Sequence, residues 1–484
     1  MARTAITPTR DENFPDWYQE VIRQADLAEN SPVRGCMVIK PYGYAIWEHL
    51  KRELDQRIKD HGALNAYFPL LIPLSFLSKE AEHVDGFATE CAVVTHHRLE
   101  ADEDGDTPGA LKPAAPLHEP LIVRPTSETM IGEVVKDWIQ SYRDLPMKIN
   151  QWANVMRWEL RPRLFLRTSE FLWQEGHCFF RDQAAAEENA LEMINVYQDL
   201  AENVLCLPVI KGVKTAEERF PGAIDTYTIE AMMQDGKALQ AGTSHYLGQT
   251  FTRSAGITYQ SEEGVEEFAH STSWGVSTRM IGGVIMGHGD DDGLILPPAV
   301  APYQVVIIPI EKKDTDRDRI FSYIDRVSRQ LQDAGISVKV DDGHDGIGTK
   351  IWNWVKKGAP IRLEIGPMEM ADNQVTMTRR DTGKSGKKEL SINGLEKQIE
   401  AELNELSAHL LTTARQKMMD RVIELDTVDD LDDYYTNGGD GWAKMPATVL
   451  DNDRLGEIYD AHALSSRCLP LADDGQTVLI GKSY

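Results

Sequence analysis

The sequence predicts an α+β N-terminal domain built on an antiparallel sheet, then an α/β domain with a mixed sheet, then a small α/β unit at the C-terminus. Three observations carry this. Residues 156–180, MRWELRPRLFLRTSEFLWQEGHCFF, read as two strand-like runs joined by a basic turn at Arg161, Pro162 and Arg163. Strand-like stretches at 226–232 and 236–248 flank a turn, and a Trp-Gly strand after residue 271 leads into a helix near Ser277 or Thr278. At Pro298–Pro302 the composition changes, and beyond it apolar strands and amphipathic helices alternate. A chain of 484 residues holds several domains. The expected divisions are 1–298, 299–405 and 406–484.

The elements follow in order. Residues 10–30 have helical spacing, CMVIK is a short strand, and Pro41 and Gly43 mark a turn. Residues 44–61 form an amphipathic helix with Ala45, Ile46, His49, Leu50, Leu54 and Ile58 on one stripe, closed by Gly62. AYFPLLIP is extended, because Pro69 and Pro73 forbid a helix. Residues 98–118, acidic then Pro/Ala-rich, are expected to be a surface loop. LIVRPTSETM is a strand, a turn and a helix capped by Thr126 or Ser127, running toward Leu145. Residues 183–205 are helical. VVIIPI, residues 336–340, IRLEIG and QVTMTRR are strands of the second domain, with helices at 314–334 and 348–357; residues 395–421 are one long helix. The last 60 or so residues read as acidic and irregular, ending in strand-like TVLIGKSY.

Composition excludes several classes. Asp+Glu 77 against Lys+Arg 51 gives a net charge of −26, unsuited to a generic polyanion binder. No apolar run spans a bilayer and the N-terminus lacks a secretory h-region, so a cytoplasmic protein without membrane contact is expected. The five cysteines contain no C-x-x-C, which suggests neither a disulfide framework nor a zinc knuckle.

Four elements of the first domain are suited to one site. Arg157 and Arg279 can both face a pocket, and two guanidiniums suit a triphosphate better than a single carboxylate does. Phe171 or Trp173 can stack on a base while the other fills core. Glu128 can accept hydrogen bonds from a ligand amine, and Gly242, Thr243, Ser244 and His245 make a small polar floor. No P-loop or Rossmann fingerprint occurs, so a nucleotide would be held by arginine clamps on an antiparallel sheet. An exposed salt-bridged hairpin would explain the charges of residues 156–180 but not the crowding of Trp158, Phe165, Phe171, Trp173, His177, Phe179 and Phe180. HGDDDG is read as an Asp/Gly turn rather than a metal cluster.

Together these residues resemble the class II aminoacyl-tRNA synthetases, and among them the prolyl-tRNA synthetase family. The amphipathic helix ending in AYFP is similar to motif 1, with Pro69 as its proline. MRWELRPRLFLRTSEF is similar to motif 2, and WGVSTRMIGGVI to motif 3, with Arg279 as its arginine. RPTSE, SEFLWQEGH and GTSHYLGQ narrow the resemblance to the prolyl enzyme, and IWNWVKKGAPIRLEIGP resembles the family's anticodon-binding domain.

The resemblance implies an antiparallel catalytic sheet of six to seven strands flanked by helices, followed by the anticodon-binding domain and the C-terminal domain. It implies ATP-dependent activation of L-proline, transfer to tRNA(Pro), Mg2+ accompanying ATP, and a homodimer formed through motif 1. It assigns Arg157 and Arg279 to catalysis on the phosphates. ATP would be bound by Arg157, Glu159, Arg167, Thr168, Phe171, Gln240, Thr243 and Arg279; Glu159 contacts adenine or a metal. Proline would be bound by Phe87, Thr126, Glu128, Arg157, Trp173, His177, His245 and Ser273. With only roughly sixty residues between His177 and Gln240 there is no room for an editing insertion, so the chain resembles the archaeal/eukaryotic-like type.

Two departures matter. The four-cysteine zinc site of the family's C-terminal extension cannot form when Cys468 is the only cysteine past residue 206, so no zinc is expected. Met368 stands where the family often has a basic residue, leaving Lys350, Lys356, Lys357, Arg362, Arg379 and Arg380 as a local basic strip on the anticodon side. The terminal KSY matches a family ending whose tyrosine reaches toward the active site. The competing readings are a class II synthetase for threonine or serine and a non-catalytic tRNA-binding paralogue.

Overall fold

The computed structural model describes residues 4–79, 90–102, 109–311 and 316–484. Its spine is an eleven-stranded sheet. The strands Ile210–Val213, Asp225–Met232, Ala238–Gly248, His270–Ser277, Glu170–Phe180 and Met147–Met156 lie side by side, each antiparallel to the next. Leu64–Asn65 adds a short parallel edge against Ile149 and Asn150.

One face of this sheet is covered by the helix Gln183–Asp199, which buries Ala186, Ala190, Met193, Ile194 and Tyr197. The strand Glu170–Phe180 divides its side chains by parity. Phe180 enters the large central core and Phe179 a separate cluster on the opposite face. The expected crowding of aromatics is therefore two populations, and Trp158 belongs to neither, being 51% exposed. Gly176 sits opposite Trp274, and a Cβ there would lie 2.2 Å from the indole. Glycine is what lets these two strands pair at full register.

The motif 1 helix runs Pro41–Asp60, starting on Pro41 because a proline ring suits the first helical turn. It buries Ile46, Trp47, Leu50, Leu54 and Ile58. Residues 98–118, expected as a loop, are mostly ladder: Ala92–Ala101 pairs with Leu111–Val123. Among the described residues the outer half of the second strand is paired on one side only, an edge position in which prolines such as Pro113 and Pro116 are tolerated.

The second unit carries a five-stranded mixed sheet. Its strand Val305–Pro309 is apolar throughout because both faces are covered. Val306 and Ile308 pack into the central core, whereas Val305 and Ile307 enter the unit's own core with Ile320, Ile324 and Leu363. The long helix spans Leu395–Met419.

The C-terminal segment is not irregular. Helices Val428–Thr436 and Leu455–His462 pack on strands Val422–Glu424, Trp442–Pro446, Ser465–Pro470 and Thr477–Gly481. These strands are only three to six residues long and are separated by Asp/Gly turns, which hides their period. Ser465–Pro470 pairs with Ile210–Val213, so the C-terminal strands continue the central sheet. Cys468 is fully buried among Ala238, Met418, Trp442 and Leu479. Among the described residues, no group of three or more His, Cys, Asp or Glu side chains is placed to hold a metal ion, and no helix is long and apolar enough to cross a membrane.

The basic strip expected on the anticodon side is overturned. Lys350, Arg362, Arg379 and Arg380 are buried. Arg380 reaches across to Asp290, 2.5 Å away in the turn after the motif 3 helix, and Arg379 pairs with Asp381, Glu402 and Glu405. Lys356 and Lys357 meet Gln24 and Asp26 of the first domain. A guanidinium or ammonium taken from water needs a counter-charge or carbonyl, and Lys356, Lys357 and Arg380 find theirs across the junction between units.

Candidate active site

The sheet face opposite the helix Gln183–Asp199 forms the floor of a cleft of about 320 Å³. Register aligns its lining. Thr226 pairs with His245, His245 with Ser273, and Ser273 with His177. One row below, Thr243 pairs with Gly275 and Gly275 with Glu175. A bulge between Ile229 and Glu230 brings Gln240 onto the same face as Thr243, three residues away, where strict alternation would put them on opposite faces.

The strand expected to carry Arg157 and Glu159 ends at Met156, and both residues leave the ladder. Release from the ladder allows Arg157 to turn into the cleft. Its Nε donates to the Pro125 carbonyl at 3.0 Å, and its guanidinium carbon lies 5.7 Å from the ring centres of both Phe171 and Trp173. Arg279, at the first position of the helix Arg279–His288, donates to the carbonyls of Leu166 (3.2 Å) and Gln240 (3.5 Å). Burial depresses the pKa of both: Arg157 moves down against the pull of Glu128, Glu90 and Glu175. Arg279 falls to about 10, with Arg167 and Arg157 adding repulsion. Two guanidiniums with depressed pKa values, steadied by carbonyls and rings, thus face the same cleft and suit an anionic ligand.

A second cavity of about 200 Å³ shares Arg157, Phe171, Ser277 and Arg279 with the first, and adds Glu90, Glu159, Phe165, Leu166, Arg167 and Thr168. Glu159 accepts from the Arg161 amide at 2.7 Å and lies 3.8 Å from Arg167, so it braces the hairpin turn. Magnesium on a nucleotide takes one or two carboxylates beside phosphate oxygens. Glu90 and Glu159, sharing this cavity with both arginines, fit that requirement.

At the other end stand Thr126, Glu128, Trp173, His177, His245 and Ser273. Thr126 Oγ1 donates to the Glu128 carboxylate. Ser127 makes no side-chain capping bond; its hydroxyl donates instead to Glu175 at 2.6 Å. Glu175 also accepts from Gln151 at 2.8 Å and meets His177 Nε2 at 3.0 Å. Burial works against the charge of His177, yet Glu175 and Glu128 outweigh it and raise its pKa. Burial and the neighbouring His177 push His245 down to about 3, so it is neutral; its Nδ1 lies 3.0 Å from Thr226 Oγ1.

All the sequence-derived site residues except Phe87 and Ser244 line one or both cavities. Ser244, expected in the floor, has the opposite parity to Thr243 and His245, pairs with the core residue Trp274 and is buried away from the cleft. Phe87 lies outside the described residues. Sequence reasoning missed Glu175, although its parity with Phe171, Trp173 and His177 marks it as cleft-facing. It also missed Glu218, Arg219, Phe220 and Pro221, which reach the cleft from a loop with no periodicity to betray them; Phe220 stacks 4.6 Å from His245. Tyr484 does not line the cleft. It donates to Asp235 at 2.6 Å and sits behind the hairpin turn with Pro162, Arg163 and Leu164.

The model for the tRNA synthetase class II core domain (G, H, P, S and T) matches residues 112–288, and that for the anticodon binding domain matches residues 304–402. The proline–tRNA ligase of Bdellovibrio bacteriovorus is 50% identical across 100% of this chain and 98% of its own. That of Paramagnetospirillum magneticum is 51% identical across 100% and 99%. The crystal structure of prolyl-tRNA synthetase from Cryptosporidium parvum complexed with halofuginone and AMPPNP is 36% identical. It superimposes with a TM-score of 0.90 over 99% of both chains. With the geometry and these matches together, the chain belongs to the prolyl-tRNA synthetases of class II.

Proposed function

We propose that the two cavities divide proline activation between them, with Arg157 at their junction. The chain is a proline–tRNA ligase: L-proline and ATP give prolyl-adenylate and pyrophosphate, and the prolyl group then passes to the 3′ end of tRNA(Pro). The substrate carboxylate is itself the nucleophile, so the protein's task is positioning and charge stabilisation. The observation that carries the reading is the convergence of Arg157 and Arg279, distant in sequence, on a cleft whose far end is a small polar pocket.

Glu128 and Thr126 accept the proline ammonium, Trp173, His245 and Ser273 wall the ring, and His177 is aimed by Glu175. Arg157 holds the carboxylate and α-phosphate together and stabilises the charge that develops between them. Arg279 takes the far phosphates, Phe171 stacks the adenine, and Arg167, Thr168, Gln240 and Thr243 line the nucleotide's path. Glu90 and Glu159 would hold magnesium, which when bound screens phosphate charge.

A homodimer through motif 1 is supported by Leu64 and Tyr67, over 70% exposed at the open edge of the central sheet. Tyr67→Glu should yield a monomer in sedimentation. We place catalysis in residues 1–298, anticodon recognition in 299–405 and a zinc-free stabilising unit in 406–484, in the cytoplasm. Pyrophosphate exchange over the twenty amino acids tests the activity. Proline should dominate; strongest exchange with threonine would overturn the assignment.

A further inference from the structure

We infer that the C-terminal strand Ser465–Pro470 positions the proline side of the cleft by holding the loop that carries Glu218, Arg219, Phe220 and Pro221. This rests on the division of the cleft proposed above. The loop leaves the strand Ile210–Val213, which is paired on its outer edge by Leu469 and Pro470. Its first residue, Lys214, is 1% exposed and lies 2.8 Å from Glu230, which is wholly buried. Arg467 closes the other side of Glu230 at 2.9 Å, and Thr228 donates to the same carboxylate at 2.9 Å. Thr215 Oγ1 meets Ser466 Oγ at 2.7 Å. The loop is thus tied at its root by a buried cation–carboxylate–cation network and a hydroxyl pair, each with one partner from the C-terminal unit. Five residues beyond Thr215, Phe220 lies against His245, and the Phe220 amide donates to Thr226 Oγ1, the hydroxyl that also meets His245.

Removing one partner of a buried ion network leaves an uncompensated charge, so the network fixes where the loop begins. None of the loop's residues lines the cavity of Glu90, Glu159, Arg167 and Thr168. A shift of the loop should therefore be felt by proline and not by ATP. Thr215, Ser466 and Arg467 are positioning residues: none lines the cleft itself.

Arg467 and Glu230 also lie within electrostatic range of Arg279, so the test leaves the network intact and cuts the hydroxyl pair. In pyrophosphate exchange, Thr215→Val with Ser466→Ala should raise the KM for proline about five-fold, the worth of one hydrogen bond, with the KM for ATP and the melting temperature unchanged. Thr215→Ser, which keeps the hydroxyl, should behave as the parent. Glu128→Gln serves as the control for the division of the cleft. If it raises the proline KM and the double variant does not, the positioning role is wrong. Equal rises in both KM values for the double variant, or a fall in melting temperature accounting for the loss, would also overturn it. No change with Glu128→Gln would overturn the division and the inference together.

Discussion

Two pairs of arginines in this molecule are kept in opposite electrostatic states: the half-buried Arg157 and Arg279 of the cleft, and the buried Arg379 and Arg380 of the second unit. In the cleft, Arg157 and Arg279 lean on carbonyls and aromatic faces, and burial lowers the pKa of each. In the second unit, Arg379 is hydrogen-bonded to Asp381 and lies beside Glu405, which raises its pKa above the ordinary arginine value despite burial, and Arg380 grips Asp290 through both terminal nitrogens. Desolvation costs several kcal/mol per ion in either place. For Arg379 and Arg380, carboxylates from the same chain offset it, and these two arginines act as rivets. In the cleft, Glu128, Glu90 and Glu175 do not outweigh burial at Arg157, and Arg167 and Arg157 add repulsion at Arg279, which favours a strongly anionic ligand between them. Burial alone therefore does not separate a structural arginine from a working one; the identity of the groups around it does.

The largest effect should come from the cleft. Arg279→Ala or Arg157→Ala should lower the exchange rate by about 10² to 10³, the usual loss when one preorganised charge stabiliser is removed. Melting temperature should hold, because each deletion also removes a poorly solvated cation. Lysine at either position should recover little, lacking the planar fork. A collapse in melting temperature with exchange retained would reverse the comparison.

Much of the cleft was legible because strand register and parity are regular. His177, Ser273 and His245 sit in one row, as two-residue periodicity requires. Glu175 was equally legible and was passed over, its carboxylate taken for one more hairpin charge. The rivets were not legible: QVTMTRR states that Arg379 and Arg380 are adjacent, but their partners lie on other elements, and Asp290 is 90 residues away. The paired strands Ala92–Ala101 and Leu111–Val123 were obscured by prolines of the kind edge strands tolerate. The loop 214–221 has no repeat at all; its place is set by contacts with residues near 466, at the far end of the sequence.

The second test concerns the rivets. Arg380→Ala should destabilise the fold by about 2–3 kcal/mol, under the 3–5 kcal/mol of a fully buried pair because the Asp290 side chain is 33% exposed. Denaturant unfolding measures this, and exchange kinetics below the transition should match the parent. Asp290→Asn should give a loss in the same direction, and the double replacement should cost less than the sum. Strict additivity would mean that the two groups do not act as a pair.

The smallest expected effect is a pH dependence confined to the proline end, where the cleft holds a histidine of each kind. His177 has a raised pKa, since Glu175 and Glu128 outweigh burial; His245, pushed down to about 3, stays neutral across the working range. A group whose folded pKa lies above its unfolded value contributes stability that is complete below the unfolded pKa. That stability fades as pH rises through the folded one. The His177–Glu175 contact should therefore be strongest in mild acid and weaken toward alkaline pH, turning a charge-assisted hydrogen bond into a neutral one. The proline KM should rise by up to about five-fold across that transition, while the ATP KM stays flat. Glu175→Gln removes the carboxylate that sustains the shift, so its proline KM should be higher at low pH and its profile flatter above neutrality. If the parent's proline KM were flat from pH 6 to 9, His177 would not carry the proton that its neighbours favour.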